Sequence, residues 1–174
     1  NIIGKELIND DNVAVMELVK NSYDAGARTV TVEFRNLKYI QEKHELLIVD
    51  DGCGMSLDDL LNKWLNLAYS IKRIQNAQNN RLQAGNKGIG RFSCDRLGKK
   101  LDIYTKKNSQ VYQLQIDWED FEGETDFNIE INQIPIKLRE LPSDQIKKET
   151  GHDIQENGTI IKISDLRIQW VQLD

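Results

Sequence analysis

The sequence has few of the residues from which disulfide frameworks and metal sites are built. Its 174 residues include only two cysteines, Cys53 and Cys94, and two histidines, His44 and His152. The cysteines are too few for a disulfide framework and lack the spacing of a metal site, and the histidines stand alone in polar segments. We therefore expect no zinc site, and we expect a reducing, cytoplasmic environment.

Long hydrophobic runs and an excess of positive charge are also missing. No apolar run approaches the roughly 20 residues of a membrane-spanning helix, and no signal peptide is visible. The net charge of −5 argues against a surface given over entirely to nucleic acid. With 39% hydrophobic and 29% charged residues, the composition is typical of a globular protein, so we expect one domain over residues 1–174. Because the chain starts at Asn1 rather than at Met, we expect it to be part of a longer protein.

The hydrophobic pattern places helices early in the chain and most strands late. Alternation and short apolar runs predict strands at 29–34, 46–49, 100–106, 111–117, 126–133 and 159–163. Helical spacing and capping residues predict helices at 12–26, about 57–66, about 89–97 and 143–149. Asn108-Ser109 predicts a hairpin turn, whereas Pro135 and Pro142 mark a loop region. This order is typical of an α+β fold, a two-layer α/β sandwich with one mixed, mostly antiparallel sheet and helices on one face.

The first predicted helix, at 12–26, has two unlike faces. Glu17, Asn21 and Asp24 are spaced i, i+4 and i+7, so they form one narrow polar stripe. Such a stripe can simply face solvent. A carboxylate, an amide and a second carboxylate in line can also serve as a base, an oxygen ligand for a cation and a hydrogen-bond acceptor. Both interpretations stay open on this helix alone.

The same helix has predicted ends and a predicted buried side. Asp10 or Asp11 can cap its N-terminus, and Gly26 suits the C-terminal cap. The broad apolar side consists of Val15, Met16, Leu18, Val19 and Tyr23.

A glycine turn follows the predicted buried strand at 46–49. It reads Asp50-x-Gly52-x-Gly54-Met55. The glycines allow the backbone to turn sharply and to approach a ligand without hindrance from a Cβ atom. A carboxylate at the mouth of this turn can accept a hydrogen bond from an exocyclic amine such as that of adenine, although Asp-Gly pairs are also common in plain turns.

A second glycine-rich segment opens the predicted helix at about 89–97. Gly85, Gly88 and Gly90 leave backbone N–H groups free to hold phosphate oxygens, and Lys87 adds a positive charge. The segment is neither a Walker A loop, which ends in Gly-Lys-Ser/Thr, nor a Rossmann fingerprint, which follows a strand directly.

The stretch before this helix is polar, irregular and basic. Residues 67–88 lack periodicity, so they are either disordered or a functional lid. From Lys72 to Lys100 eight lysines and arginines face a single acid, Asp95, which gives a local charge of +7. This charge suits a phosphate-bearing partner, although a solvated basic loop is the alternative.

Four motifs together, in this order and spacing, resemble the ATPase superfamily of gyrase, heat-shock chaperones, histidine kinases and MutL (GHKL). They are Glu17, Asn21, Asp24 and Ala25; Asp50, Gly52 and Gly54; Gly85, Gly88 and Gly90; and Gly158 with Thr159. The match covers most of the chain and implies a Bergerat-type fold. The residues in and around the motifs look most like those of bacterial stand-alone MORC-like and chaperone-like ATP-binding proteins.

The resemblance implies a role for each matched residue. Asn21 would bind the magnesium ion that bridges the phosphates, and Glu17 would be the general base toward the attacking water. Asp50 would accept a hydrogen bond from the adenine amino group, assisted by Thr159. The other residues expected to contact the nucleotide are Asp24, Gly52, Gly54, Met55, Lys72, Lys87, Gly88, Ile89 and Gly90.

The function implied is magnesium-dependent binding of ATP or ADP with slow hydrolysis. Closure of a lid at about 67–90 would drive a conformational change or the ATP-dependent homodimerisation of a longer protein, through domains that follow Asp174. We expect the isolated domain to hydrolyse ATP poorly, because relatives supply a lysine from a second domain. The alternatives are a nucleotide-sensing module that does not hydrolyse ATP, and a DNA-associated ATPase that uses the basic stretch on nucleic acid.

Overall fold

The computed structural model describes residues 2–37, 43–62, 94, 97–117 and 136–167. Its helices are α1 (Ile2–Asp24), α2 (Leu57–Leu60) and α3 (Ser143–Thr150). Its strands are β1 (Val30–Arg35), β2 (Glu45–Asp50), β3 (Gly98–Lys107), β4 (Gln110–Asp117), β5 (Ile136–Glu140) and β6 (Gly158–Leu166). None of the helices within these ranges is both long and apolar enough to cross a membrane.

The six strands form one sheet in the order β1-β2-β6-β3-β4-β5. Every pairing between these strands is antiparallel, which confirms the predicted α+β class. The predicted hairpin joins β3 to β4, with Lys107 opposite Gln110 and with positive φ at Asn108 and Ser109. The late strand β6 lies between β2 and β3, so it brings the end of the chain's described part into the centre of the sheet.

Both faces of the sheet are covered, and β2 shows how. Leu46 and Ile48 pack with Leu18 of α1 on one face, the helix face. Leu47 points to the other face, the back face, where it packs with Ile146 of α3. Burial on both faces explains why β2 is an apolar run rather than an alternating one. The prediction of helices on one face therefore describes α1 and α2, whereas α3 packs on the back face.

Helix α1 begins much earlier than predicted. It starts at Ile2 rather than near residue 12, so Asp10 and Asp11 lie inside the helix and the prediction that one of them caps it is wrong. Gly26, with φ of 74°, adopts the left-handed conformation that favours glycine at a helix end, as predicted.

The buried side of α1 is narrower than its apolar side. Ala14, Leu18 and Ser22, spaced four residues apart, are buried against the sheet. Met16 and Tyr23 are 64% and 75% exposed, so the prediction that they belong to a buried side is wrong. A helix that crosses a sheet once buries only the residues that face the sheet directly. The spacing of hydrophobic residues does not show how wide that buried face is.

Pro135 and Pro142 predict a loop region, whereas the structure has the strand β5 between them. The five residues Ile136–Glu140 fit between the prolines, and among the described strands they pair with β4 alone. At the edge of the sheet as described, a strand tolerates prolines at its ends because one of its sides pairs with no other described strand. The predicted strand at 126–133 lies outside the described residues, as does the predicted helix at 89–97 apart from Cys94 and Leu97.

Candidate functional site

Three polar side chains form a row across the centre of the sheet. Asp50 of β2 lies opposite Thr159 of β6, which lies opposite Thr105 of β3. Residues in directly opposed positions share a face, and this is the face on which α1 packs. All three are buried, at 8%, 7% and 0% exposure respectively. Polar groups at such positions need hydrogen-bond partners, either from the protein or from a ligand.

The carboxylate of Asp50 is held by α1 and by the glycine turn that follows it. One oxygen, Oδ1, accepts from the backbone N–H of Gly52 at 2.9 Å. The other, Oδ2, accepts from the hydroxyl of Ser22 at 2.8 Å. Burial raises the pKa of Asp50 above its ordinary value, even though these hydrogen bonds and one from the backbone of Thr159 act to lower it. A carboxylate has about four lone-pair sites, so these three donors leave room for one more.

The glycine turn passes close to both α1 and β3. Gly54 has φ of 64°, and a Cβ atom there would lie 2.1 Å from the carbonyl oxygen of Lys106. No other residue can take this conformation and this close approach together. The N–H of Cys53 donates to the carbonyl of Ala25 at 2.9 Å, which joins the turn to the end of α1. The turn therefore links the helix to the sheet beside Asp50.

The structure explains why position 158 is a glycine, which the sequence around it did not reveal. A Cβ atom there would lie 2.3 Å from the backbone oxygen of Asp50. The absence of a side chain lets β6 approach β2 closely, and this closeness sets Thr159 beside Asp50.

A pocket of about 260 Å³ opens over Asp50 and Thr159 of this row. Its volume is close to the lower end of the range usual for small-molecule sites, about 300–1,000 Å³. It is lined by Asn21, Ser22, Asp24, Ala25, Asp50, Cys53, Gly54, Met55, Thr159 and Ile161. The walls combine apolar side chains with a buried carboxylate and a hydroxyl, as in a site for a flat, partly polar ring.

The pocket brings together six of the residues to which the resemblance assigns a role: Asn21, Asp24, Asp50, Gly54, Met55 and Thr159. Gly52 contributes its N–H to Asp50 and lines a separate cleft behind the turn. Glu17 is half-buried on α1, one turn before Asn21, and is not among the lining residues. Lys72 and the segment Lys87, Gly88, Ile89 and Gly90 lie outside the described residues.

Sequence reasoning missed two residues that hold the site together. Ser22 donates to Asp50 from the buried side of α1, next to Asn21 in the chain. Thr105 accepts from the N–H of Met55 at 2.8 Å. Ser22 could have been found as a polar residue on the buried side of an amphipathic helix. The register that sets Thr105 beside Thr159 leaves no signal in a single sequence.

Comparisons with known proteins agree with this architecture. The sequence model of the family described as "Histidine kinase-, DNA gyrase B-, and HSP90-like ATPase" matches residues 9–152.

Three relatives illustrate the similarity. The chain is 26% identical over 140 residues, 80% of this chain and 21% of the relative, to the putative type II restriction enzyme HgiDII of Herpetosiphon aurantiacus. It is 25% identical over 124 residues, 60% of this chain and 17% of the relative, to the mitochondrial TNF receptor-associated protein 1 homolog of Dictyostelium discoideum. It is 40% identical over 60 residues, 34% of this chain and 10% of the relative, to the DNA mismatch repair protein MutL of Trichormus variabilis.

The chain thus spans between 10% and 21% of the length of these curated relatives. The closer likeness to MORC-like and chaperone-like proteins stays a prediction, whereas the superfamily expected from the four motifs is confirmed. Since the family model matches most of its residues, the chain belongs to the histidine kinase-, DNA gyrase B- and HSP90-like ATPases, which implies ATP binding and possible hydrolysis.

Proposed function

We propose that this domain binds ATP with magnesium and hydrolyses it slowly, and that closure of the segment at about 67–90 couples the nucleotide to a conformational change or homodimerisation of a longer protein. The observation that carries the proposal is the buried carboxylate of Asp50 in the pocket, with Thr159 beside it. The amino group of adenine is a donor that would use the remaining acceptor capacity of Asp50. Gly54, Met55 and Ile161 supply surface for the flat ring.

The donor set suits a magnesium ion held mainly by its substrate. Among the described residues, no three His, Cys, Asp or Glu side chains come together as a metal cage. Asn21 offers an exposed amide at the pocket. Magnesium ordinarily takes one or two protein ligands and completes its shell with phosphate oxygens and water. Asn21 would therefore hold the ion, which when bound neutralises charge on the phosphates.

Glu17 is the proposed general base. It lies on the same stripe of α1 as Asn21 and is half-buried, one helical turn away. In that position its carboxylate would orient and deprotonate the attacking water when ATP occupies the pocket. Lys87 through Gly90 are proposed to hold the phosphates.

The test is a pair of measurements on wild type and on Glu17→Gln, with ATP binding followed by calorimetry and turnover by phosphate release. We expect Glu17→Gln to bind ATP as wild type does and to lose turnover by at least about 100-fold, the usual contribution of general base catalysis. Glu140→Gln, an exposed carboxylate on the edge strand β5, is the matched control and should change neither. Unchanged turnover in Glu17→Gln would refute the base assignment. Tight binding without magnesium-dependent turnover, even in the full-length protein, would favour the nucleotide-sensing alternative.

A DNA-associated role is the second candidate. Two of the similar proteins are named as a restriction enzyme and a DNA mismatch repair protein, and the stretch from Lys72 to Lys100 has a charge of +7. Within the part of this stretch that the structure describes, Lys100 pairs with Asp117 at 2.8 Å. Salt-sensitive DNA binding that persists in saturating ATP would support this role. Competition between ATP and DNA would assign the charge to the phosphates of ATP.

A further inference from the structure

Thr105 is a fully buried residue that contacts the pocket wall from behind. It does not line the pocket, but its hydroxyl makes three polar contacts. It accepts from the N–H of Met55 at 2.8 Å. Its oxygen lies 3.1 Å from the carbonyl oxygen of Gly158 and 3.3 Å from the hydroxyl oxygen of Thr159.

The proton count determines which of these groups donates. A threonine hydroxyl has one proton and two lone pairs, and a carbonyl oxygen can only accept. All three contacts are hydrogen bonds in one arrangement alone, in which Thr105 donates to Gly158 and Thr159 donates to Thr105. The two lone pairs of Thr105 then receive Met55 and Thr159. Thr159 has thereby directed its only proton away from the pocket.

This arrangement gives the polar wall of the pocket a single hydrogen-bonding character. Toward the pocket, the hydroxyl oxygen of Thr159 can only accept. The carboxylate of Asp50 is also an acceptor, and it already accepts from Gly52 and Ser22. Two adjacent acceptors match a ring that carries an amino group. They oppose a ring that carries a carbonyl in the same place, because acceptor would face acceptor.

We propose that Thr105 is a positioning residue that makes the pocket select a 6-aminopurine over a 6-oxopurine, by fixing the direction of the Thr159 hydroxyl proton. The inference rests on the proposed function, since it assumes that the base of ATP lies against Asp50 and Thr159. It adds that selectivity between bases is set in part by a residue that does not touch the nucleotide. When Thr105 loses its hydroxyl, Thr159 can rotate its proton toward the pocket and donate to a carbonyl.

The test compares the dissociation constants of ATP and of ITP, which differ in the 6-amino and 6-oxo groups. The variant is Thr105→Val, which keeps the shape of the side chain and removes the hydroxyl. Its matched control is Thr150→Val on the back face. Thr150 is equally buried, donates to the carbonyl of Ile146 at 2.8 Å and accepts from the N–H of His152 at 3.1 Å.

We expect Thr105→Val to lower the preference for ATP over ITP by about tenfold, the value of reversing one hydrogen bond. Thr150→Val should lose stability and keep the wild-type preference, and Thr105→Ser should restore that preference. In a Thr159→Val background, Thr105→Val should have no further effect on the ratio, because it acts through the Thr159 hydroxyl. If Thr105→Val does not fold, Thr105→Cys, with a weaker hydrogen-bonding group, gives the same readout and should lie between wild type and the valine variant.

The outcomes separate this inference from the proposed function. If wild type binds ATP and Thr105→Val weakens ATP and ITP equally, Thr105 has only a structural role and the inference is wrong. If the ratio changes equally in Thr150→Val, it reports general destabilisation and the inference is again wrong. If wild type binds neither nucleotide, the proposed function fails first and the inference fails with it.

Discussion

Each face of the sheet holds a carboxylate among polar side chains, buried at Asp50 and half-buried at Glu149. The two carboxylates differ in how fully hydrogen-bond donors surround them. On the back face, Glu149 of α3 accepts from the Tyr104 hydroxyl at 2.8 Å, from Gln145 at 2.7 Å, and twice from Arg139 at 2.8 and 3.1 Å. On the helix face, Asp50 has donors for only part of its capacity and opens onto the pocket. The hydrogen-bonding capacity of the carboxylate is therefore filled at Glu149 and only partly filled at Asp50.

The pKa values of the two carboxylates show the physical result. Burial by itself raises the pKa of both groups. At Glu149 the hydrogen bonds from Gln145, Tyr104 and Arg139 outweigh burial, so the pKa lies below its ordinary value. At Asp50 burial outweighs the hydrogen bonds, so the pKa lies above it. A saturated carboxylate stabilises the fold, whereas an incomplete one costs stability until a ligand supplies the missing donor.

Of the two carboxylate-to-amide replacements, the one at Asp50 should have the larger effect, and it should act on ATP affinity. The amide in Asp50→Asn presents an N–H group where the adenine amino group needs an acceptor. We expect ATP affinity to fall on the order of 100-fold, as for loss of a charged hydrogen bond and its replacement by a mismatch. The free energy of unfolding at neutral pH should stay within about 1 kcal/mol of wild type, because the variant no longer buries a charge. Calorimetric titration and denaturant unfolding measure the two quantities, and unchanged ATP affinity would show that Asp50 does not contact the base.

The contrast also explains what the sequence could and could not predict. The stripe on α1 and the turn after β2 were found because their residues are close in the chain, where spacing determines geometry. Ser22 and Asp50 meet across 28 positions, and Thr105 and Thr159 across 54. Those meetings depend on the register of a sheet whose last described strand enters its middle, and a single sequence does not encode register in a readable form.

The polar cluster on the back face was still harder to predict from the sequence. Gln113, fully buried on β4, donates to Asp102 at 2.9 Å and to Tyr104 at 3.0 Å, and accepts from Arg139. In the sequence these residues alternate with apolar ones, which is the ordinary pattern of a strand with one solvated face. Gln113 and Tyr104 are buried because α3 packs on this face, which the prediction of helices on one face excluded. A polar strand residue is therefore ambiguous until the elements above it are known.

The second prediction makes the same carboxylate-to-amide change on the back face. Glu149→Gln turns one acceptor oxygen into a donor that faces the donors of Tyr104, Gln145 or Arg139. We expect a loss of about 1–3 kcal/mol in the free energy of unfolding, measured by denaturant titration. ATP affinity should stay within about twofold of wild type, because none of these residues lines the pocket. A variant that lost ATP affinity and kept its stability would reverse the assignment of the two faces.

The third and smallest effect concerns protons. Because the folded-state pKa of Asp50 is raised, the folded protein binds a proton there more tightly than the unfolded chain. The cost of burying the charge is thus largest at neutral pH and is relieved as the pH falls through that raised pKa. A ligand amino group that donates to Asp50 favours the charged form and lowers its pKa, so binding at mildly acidic pH should release a fraction of a proton.

Adenosine isolates this effect, since it has no phosphate groups that titrate. Calorimetric titrations at about pH 5 in two buffers with different ionisation enthalpies give the number of protons released, because the pKa of Asp50 departs from its ordinary value of 3.8 in the direction of that pH. Glu149→Gln should release the same fraction as wild type, since the pKa of Glu149 is already lowered by its own donors. Proton uptake on binding would mean that the ligand faces a protonated Asp50. In that case the carboxyl would be a donor, and the pocket would suit a carbonyl rather than an amino group.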